Sequence, residues 1–186
     1  MAAPPSVNIL NMSGTWTLNR QLSDDFDATF QVQGVSWPVR KILSWAGVAL
    51  HMTQTSDTPQ GETGKPPVTK INVKQTITPG GFNSEEAYVL DSSVKHSTLP
   101  IFGAVSVHSR YTLLGQVDDV DLRERLAADG ATVAIQEFAE SKSSDWSTTG
   151  VWGFEIVGGE RRFTRTNTTT GRNARAVARL VYDYSP

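Results

Sequence analysis

The sequence contains no cysteine, which excludes disulfides, thiolate metal sites and cysteine nucleophiles together. It has no excess of either charge: 17 Lys and Arg stand against 19 Asp and Glu, so there is no broad basic surface to neutralise phosphates. Nucleic acid is therefore not expected as a partner. No apolar run is long enough to span a bilayer, and MAAPPSVNIL at the N-terminus lacks the basic and apolar regions of a signal peptide. These absences lead to the expectation of a cytoplasmic protein without stable membrane insertion, in which the sequons at Asn11 and Asn167 are incidental. The three histidines, His51, His96 and His108, show no paired ligand spacing, so no metal is expected. Neither a glycine-rich phosphate loop nor a Gly-x-Ser-x-Gly elbow is present, and no cofactor is expected.

The 186 residues fit one domain with a sizeable core. Residues 1–12, with two prolines, read as a loose N-terminal arm, and 13–186 as a single barrel domain. Gly14 to Leu18 alternates and places Trp16 and Leu18 on one strand face. A tryptophan there suits the plug of a barrel end. Ser23 followed by Asp24 and Asp25 predicts a helix start, and Phe26 and Phe30 at i, i+4 give that helix an apolar face. A second helix is predicted after Ser36, with Pro38 in its first turn and Gly47 at its end. Val35, Val39, Ile42, Leu43 and Ala46 point one way, while Arg40 and Lys41 form a solvated face.

Strands follow from Val48 to Thr55, over 68–78, over 82–91 with Phe82, Glu86, Tyr88 and Leu90 on one face, and, after a short segment at 94–102, over 104–114. The polar stretch 57–67 reads as a loop, and 117–130, with Leu122 and Leu126 at i, i+4, as a short helical excursion. Runs at 131–140, 146–157, 161–170 and 174–184 complete nine or ten strands with hairpin-length turns. This is the pattern of a mainly β fold: a closed antiparallel up-and-down β-barrel of about ten strands with a helix-turn-helix lid between the first two. A barrel of that width is not readily filled by its own side chains and tends to hold a ligand.

The opening stretch resembles the intracellular fatty-acid-binding proteins, within the broader lipocalin-like (calycin) barrels. The matching residues are Gly14-Thr15-Trp16 with Leu18, Phe26-Asp27, Gly34-Val35, Arg40-Lys41 and the strand opening at Val48, with Val181-Tyr182-Asp183 placed like the family's last strand. The resemblance implies a ten-stranded clam binding a fatty acid or similar molecule, whose carboxylate is held partly by an Arg two residues before a Tyr on that strand. Here Tyr182 matches the Tyr, but the position two before it is Leu180, and Arg179 falls on the opposite face. The head-group clamp is therefore lost or rebuilt. The chain is also longer than the family pattern, mainly through 56–67 and 117–130.

Candidate site residues come from the strand faces. An inward Tyr182 brings Ala176, Ala178, Leu180 and Tyr184 with it, a small and apolar wall with phenol groups that seek partners. Trp146, Trp152, Phe154 and Ile156 share a face that is either core or cavity wall, with Glu155 solvated opposite. His108 and Arg110 share a strand face that is either an exposed polar surface or an interior centre for a carboxylate, enolate or phenol. An inward Arg110 or Arg165 requires an acid or an anionic ligand beside it. Phe26, Phe30 and Trp37 from the lid and Tyr88 from its strand complete the expected ligand contacts, and Tyr182, His108 and Arg110 are the catalytic candidates.

Two functions follow. One is binding of a small hydrophobic molecule, lipid-like or natural-product-like, with or without a polar or anionic head. Burying about ten methylenes at roughly 0.8 kcal/mol each gives about 8 kcal/mol, micromolar affinity without a salt bridge. The alternative is a cofactor-free isomerase or cyclase of secondary metabolism, pericyclic chemistry included, that folds an apolar intermediate in the same cavity; other lipocalin-like barrels host such reactions. A barrel with a filled interior would leave the lid without a role.

Overall fold

A computed structural model describes residues 1–57 and 67–186. Ten strands run β1 (Gly14–Leu18), β2 (Gly47–Asp57), β3 (Val68–Thr78), β4 (Ser84–Val89), β5 (Lys95–Leu99), β6 (Gly103–Leu113), β7 (Val133–Ser141), β8 (Trp146–Val157), β9 (Glu160–Gly171) and β10 (Arg175–Ser185). All neighbours are antiparallel, in the order β4-β3-β2-β1-β10-β9-β8-β7-β6-β5. The barrel is nearly closed: β4 and β5 do not pair, but an Asp91–Arg110 bridge and a Ser92 N–H bond to the Ser109 carbonyl draw the edges together. Helices α1 (Asp27–Val32) and α2 (Trp37–Leu43) lie between β1 and β2, and α3 (Val120–Ala127) lies between β6 and β7. No helix among the described residues is long and apolar enough to cross a membrane. The proline- and glycine-rich loop expected over 57–67 falls largely outside the described residues.

Period-two alternation sets the barrel's two surfaces. Inward positions at one end build an aromatic floor, where Trp16 meets Phe163 at 5.2 Å, Phe154 at 5.8 Å and Tyr184 at 4.8 Å between ring centroids. Residues 1–12 are packed beneath this floor and do not form a loose arm. Ala3, Val7 and Met12 are buried, the Ala3 N–H reaches the Arg161 carbonyl at 2.8 Å, and Trp16 Nε1 donates to the Met12 carbonyl at 2.9 Å. The apolar underside of the floor supplies the burial that the segment's own composition does not suggest.

At the other end Val35, Leu43 and Ala46 of the lid pack on Ile77, with Phe30, Phe82, Ile101 and Phe102 around them. Arg20, just past β1, holds the lid by donating to the Leu43, Ser44 and Ala46 carbonyls at the end of α2. The first helix begins at Asp27, later than its acidic start signal suggests: Ser23 spends its hydroxyl on β10, accepting from Val181 N–H at 2.9 Å, and Asp25 accepts from Asp27 N–H at 2.9 Å. Arg40 is not on a solvated face either. Its side chain is only 13% exposed and faces Asp27 across the helix pair at 3.6 Å, leaving Lys41 to the solvent.

On the outside, α3 is capped by Asp119, which accepts from Leu122 N–H at 2.9 Å, and it seats Leu122 and Leu126 on Ala134 and Val151. Gly153 permits this close approach, since a Cβ there would stand 2.4 Å from Leu126 Cδ2. The same cover corrects the expectation for Glu155. It does face outward, but it is buried beside α3, bound by Arg125 at 2.9 Å, Thr164 at 2.7 Å and Arg179 at 3.2 Å.

Candidate functional site: a lidded cavity with a polar floor

Between the aromatic floor and the lid lies a cavity of about 210 Å³, counted as space open to the centre of a water molecule. Its upper part is mainly apolar, with Phe26 and Phe30 of the lid edge to face at 5.2 Å, Phe82, Ile101 and Phe102, and Trp146 against Phe102 at 5.9 Å, although Thr29, Gln33 and Thr148 also line it. Val105 and Val107 of β6, and Ala178 and Leu180 of β10, form facing walls. At the bottom the lining becomes polar, with Glu86 and Tyr88 of β4, Glu137 of β7, Arg165 of β9 and Tyr182 of β10.

Strand register brings Glu137, Arg165 and Tyr182 together, and the curl of the barrel carries Glu86 and Tyr88 across to them, with Tyr88 4.9 Å from Trp152 between ring centroids. Arg165 is paired directly with Trp152 on one side and Leu180 on the other. Its guanidinium lies 4.2 Å from the Trp152 ring centroid and donates to Glu137 Oε2 at 2.7 Å. Trp152 Nε1 donates to the same oxygen at 3.0 Å. Glu137 is paired with Gly150, where a Cβ would crowd Asn167 Oδ1 at 2.9 Å and meet Glu137 at an ordinary 3.5 Å contact. Glu86 accepts from Ser84 Oγ at 3.1 Å and from Tyr88 Oη at 3.2 Å. Tyr182 stacks on Phe163 at 5.2 Å. Arg165 Nε is buried and has no hydrogen-bond partner among the described residues.

Burial and the neighbouring Glu137 charge raise the Glu86 carboxyl above its ordinary range, only partly opposed by Ser84, Arg165 and Tyr88. Burial likewise raises Tyr182, and raises Tyr88 further with help from Glu137 and Glu86, so both phenols remain O–H donors at neutral pH. For Arg165 burial acts downward, but Glu137 and then Tyr88, Tyr182 and Glu86 outweigh it, and the guanidinium stays charged. The floor thus offers phenol and guanidinium donors beside two carboxyl groups, at one largely buried end of a mainly apolar chamber. Such a set can polarise a carbonyl or relay a proton. Among the described residues no group of three or more His, Asp or Glu is placed to hold a metal ion.

Of the residues singled out in the sequence, Phe26, Phe30, Tyr88, Trp146, Arg165, Leu180 and Tyr182 line this cavity. Trp152 and Phe154 belong to the aromatic floor beneath it, and Tyr184 packs on Trp16 and over Gly14. Three are placed elsewhere. Trp37 is 63% exposed, on the solvent side of α2. His108 packs on Phe138 at 5.1 Å and Arg110 donates to Gln136 at 2.8 Å, both on the outer surface, because the inward register of β6 belongs to Val105, Val107 and Tyr111. Glu137 was missed as a site residue; its signal is an acid between Ile135 and Ala139 at period two, opposite a glycine. Glu86 is placed on the Phe82–Tyr88 face by alternation, but only the fold shows that this face lines the same cavity as Arg165.

No family profile matches the chain. It is 28% identical over 190 residues to "Probable pericyclase scpY" of Mollisia scopiformis, covering 98% of this chain and 94% of that protein. It is 26% identical over 185 residues to "Pericyclase pydY" of Acremonium sp., covering 99% and 97%. Among solved structures, a Schistosoma mansoni fatty acid binding protein in complex with arachidonic acid superposes with a TM-score of 0.55 at 17% identity, covering 94% of this chain and 96% of its own. The fluorescent protein UnaG gives 0.57 at 14%, covering 94% and 97%. The zebrafish ileal bile acid-binding protein complexed with cholic acid gives 0.53 at 10%, covering 93% and 98%. Strand count, lid position and full-length superposition agree: the chain has the fatty-acid-binding-protein-like barrel fold of the calycin type.

Proposed function

We propose that this barrel binds a small, largely apolar molecule, seats its polar head on the Arg165–Glu137–Glu86 floor, and folds it for a cofactor-free pericyclic ring closure. The observation that carries this reading is the floor itself: two buried phenols and three largely buried ionisable groups beneath a mainly apolar chamber. The two full-length relatives named as pericyclases support it. A pericyclic step exchanges π bonds for σ bonds within one molecule and releases nothing. The protein must therefore restrict conformation and stabilise the electron shift. A hydrogen bond from Tyr182 or Arg165 to a carbonyl conjugated with the reacting π system makes that system a better electron acceptor. If strengthened in the transition state, a charged hydrogen bond of about 1.5–3 kcal/mol accelerates the step roughly ten- to a hundredfold.

Simple carriage is the second reading, favoured by fold neighbours solved with arachidonic and cholic acid. One experiment separates the two. The purified protein is incubated with a natural-product and lipid extract, bound species are identified by native mass spectrometry, and the extract is followed by chromatography. Conversion of one compound into an isomer of equal mass but different retention is expected, reduced in Tyr182→Phe and Glu86→Gln and retained in Arg110→Ala. A ligand that is bound but returned unchanged refutes the catalytic reading and leaves carriage.

A further inference from the structure

The cavity floor holds more acid than base. Arg165 is the one Lys, Arg or His lining the cavity among the described residues, against two carboxyl groups, Glu86 and Glu137. Its positive charge is already matched: Glu137 Oε2 lies 2.7 Å from Arg165 Nη2, and the guanidinium face rests on Trp152. Glu86 stands beyond this pair and, among the described residues, forms no salt bridge; its hydrogen bonds come from Ser84 and Tyr88. The position on β10 where the family resemblance calls for a cation is Leu180, directly opposite Arg165 in register. The cation has thus moved one strand across the barrel, next to an acid that neutralises it.

A carboxylate ligand brought to this floor would be the third anion around one guanidinium, and would lose its hydration without gaining a free counter-charge. The upward shift of Glu86, caused by burial and by Glu137, is the same resistance to negative charge felt by the protein's own carboxyl. What the floor does offer is an acceptor and donors side by side: the Glu86 carboxylate, the Tyr182 hydroxyl and the unpartnered Arg165 Nε.

Resting on the reading of this cavity as the binding site, we propose that it selects a neutral head that both donates and accepts hydrogen bonds, an amide or lactam being the simplest. The geometry sets it against a free carboxylate. The head's N–H donates to Glu86, and its carbonyl accepts from Arg165 Nε or Tyr182 Oη. A fatty acid, the ligand class implied by the barrel's outline, is then a poor fit despite a suitable apolar chamber.

The test is displacement of the uncharged dye Nile red from the full chain at pH 7.5 by three ligands of one chain length: dodecanamide, methyl laurate and laurate. Dodecanamide is expected to displace the dye at a concentration at least tenfold below that of laurate, with the ester, an acceptor only, between them. Glu86→Gln is expected to narrow the amide-to-laurate ratio at least threefold. Leu180→Arg, which adds a cation opposite Arg165, is expected to tighten laurate at least tenfold. Either variant suffices if the other does not fold. Laurate binding as tightly as the amide in the unsubstituted protein, or a ratio unmoved in every folded variant, overturns the proposal while leaving the cavity as a binding site. Failure of the dye and all three ligands to bind overturns the binding reading, and this inference with it.

Discussion

Replacing Arg165 with Met removes the guanidinium but leaves Glu137 where it is. Both side chains are only 13% exposed, so the carboxylate loses a partner at 2.7 Å and gains little water. Trp152 Nε1 still donates to it at 3.0 Å, which offsets part of the loss, while the contact of the guanidinium with the Trp152 ring disappears as well. Breaking a buried pair on one side costs about 3–5 kcal/mol. For a chain of this size each kcal/mol lowers Tm by about 2–4 °C, so a fall of roughly 6–20 °C is expected. The companion variant Arg165→Met with Glu137→Leu removes both charges and fills the space with apolar volume. It is expected to return to within about 1–2 kcal/mol of the starting protein, because two well-packed apolar side chains often replace a buried pair without loss. Urea unfolding followed by tryptophan fluorescence gives the free energies, provided the denaturant slope is the same in all four proteins of the cycle. A single variant that loses less than about 1 kcal/mol, or a double variant that loses the sum of the two singles, refutes the coupling on which the site is built.

Two further outcomes follow from the packing and the charges. Gly153→Ala places a methyl where Leu126 now sits, and is expected to destabilise the protein by about 1–3 kcal/mol and to speed amide exchange in α3; combining it with Leu126→Ala should restore slow exchange there. Equal exchange in Gly153→Ala and the parent would show that α3 does not depend on this contact. Glu86, held above its ordinary value by burial and Glu137, binds its proton more tightly in the folded than in the unfolded chain. Its contribution to stability is therefore fully present below the unfolded value and is lost as pH rises through the folded one. Relative to Glu86→Gln, the parent should lose stability with rising pH across that window; a difference that stays constant with pH refutes the burial of this carboxyl.

The architecture is legible in the amino-acid sequence. Period-two runs, hairpin-length turns and two short helices between the first strands specify a lidded antiparallel barrel, because alternation and turn chemistry act over a few residues. The sequence also places Tyr88, Leu180 and Tyr182 on strand faces that do line the cavity. Alternation, however, divides a strand into two faces without saying which one is inside. His108 and Arg110 carry the more reactive side chains of β6 and still lie outside, whereas Arg165, from an equally ambiguous strand, lies inside. Alternation sends Glu155 to solvent, because the cover supplied by α3 comes from about thirty residues away in the chain. These choices are made by the packed fold, and the site is made with them. Arg165 meets Glu137, 28 residues earlier, through two successive antiparallel registers, and feels the charge of Glu86 only because the barrel curls β4 round towards β9. A buried charge is tolerable only beside its partner, and that partnership is made by strand register and barrel closure, which no local pattern encodes.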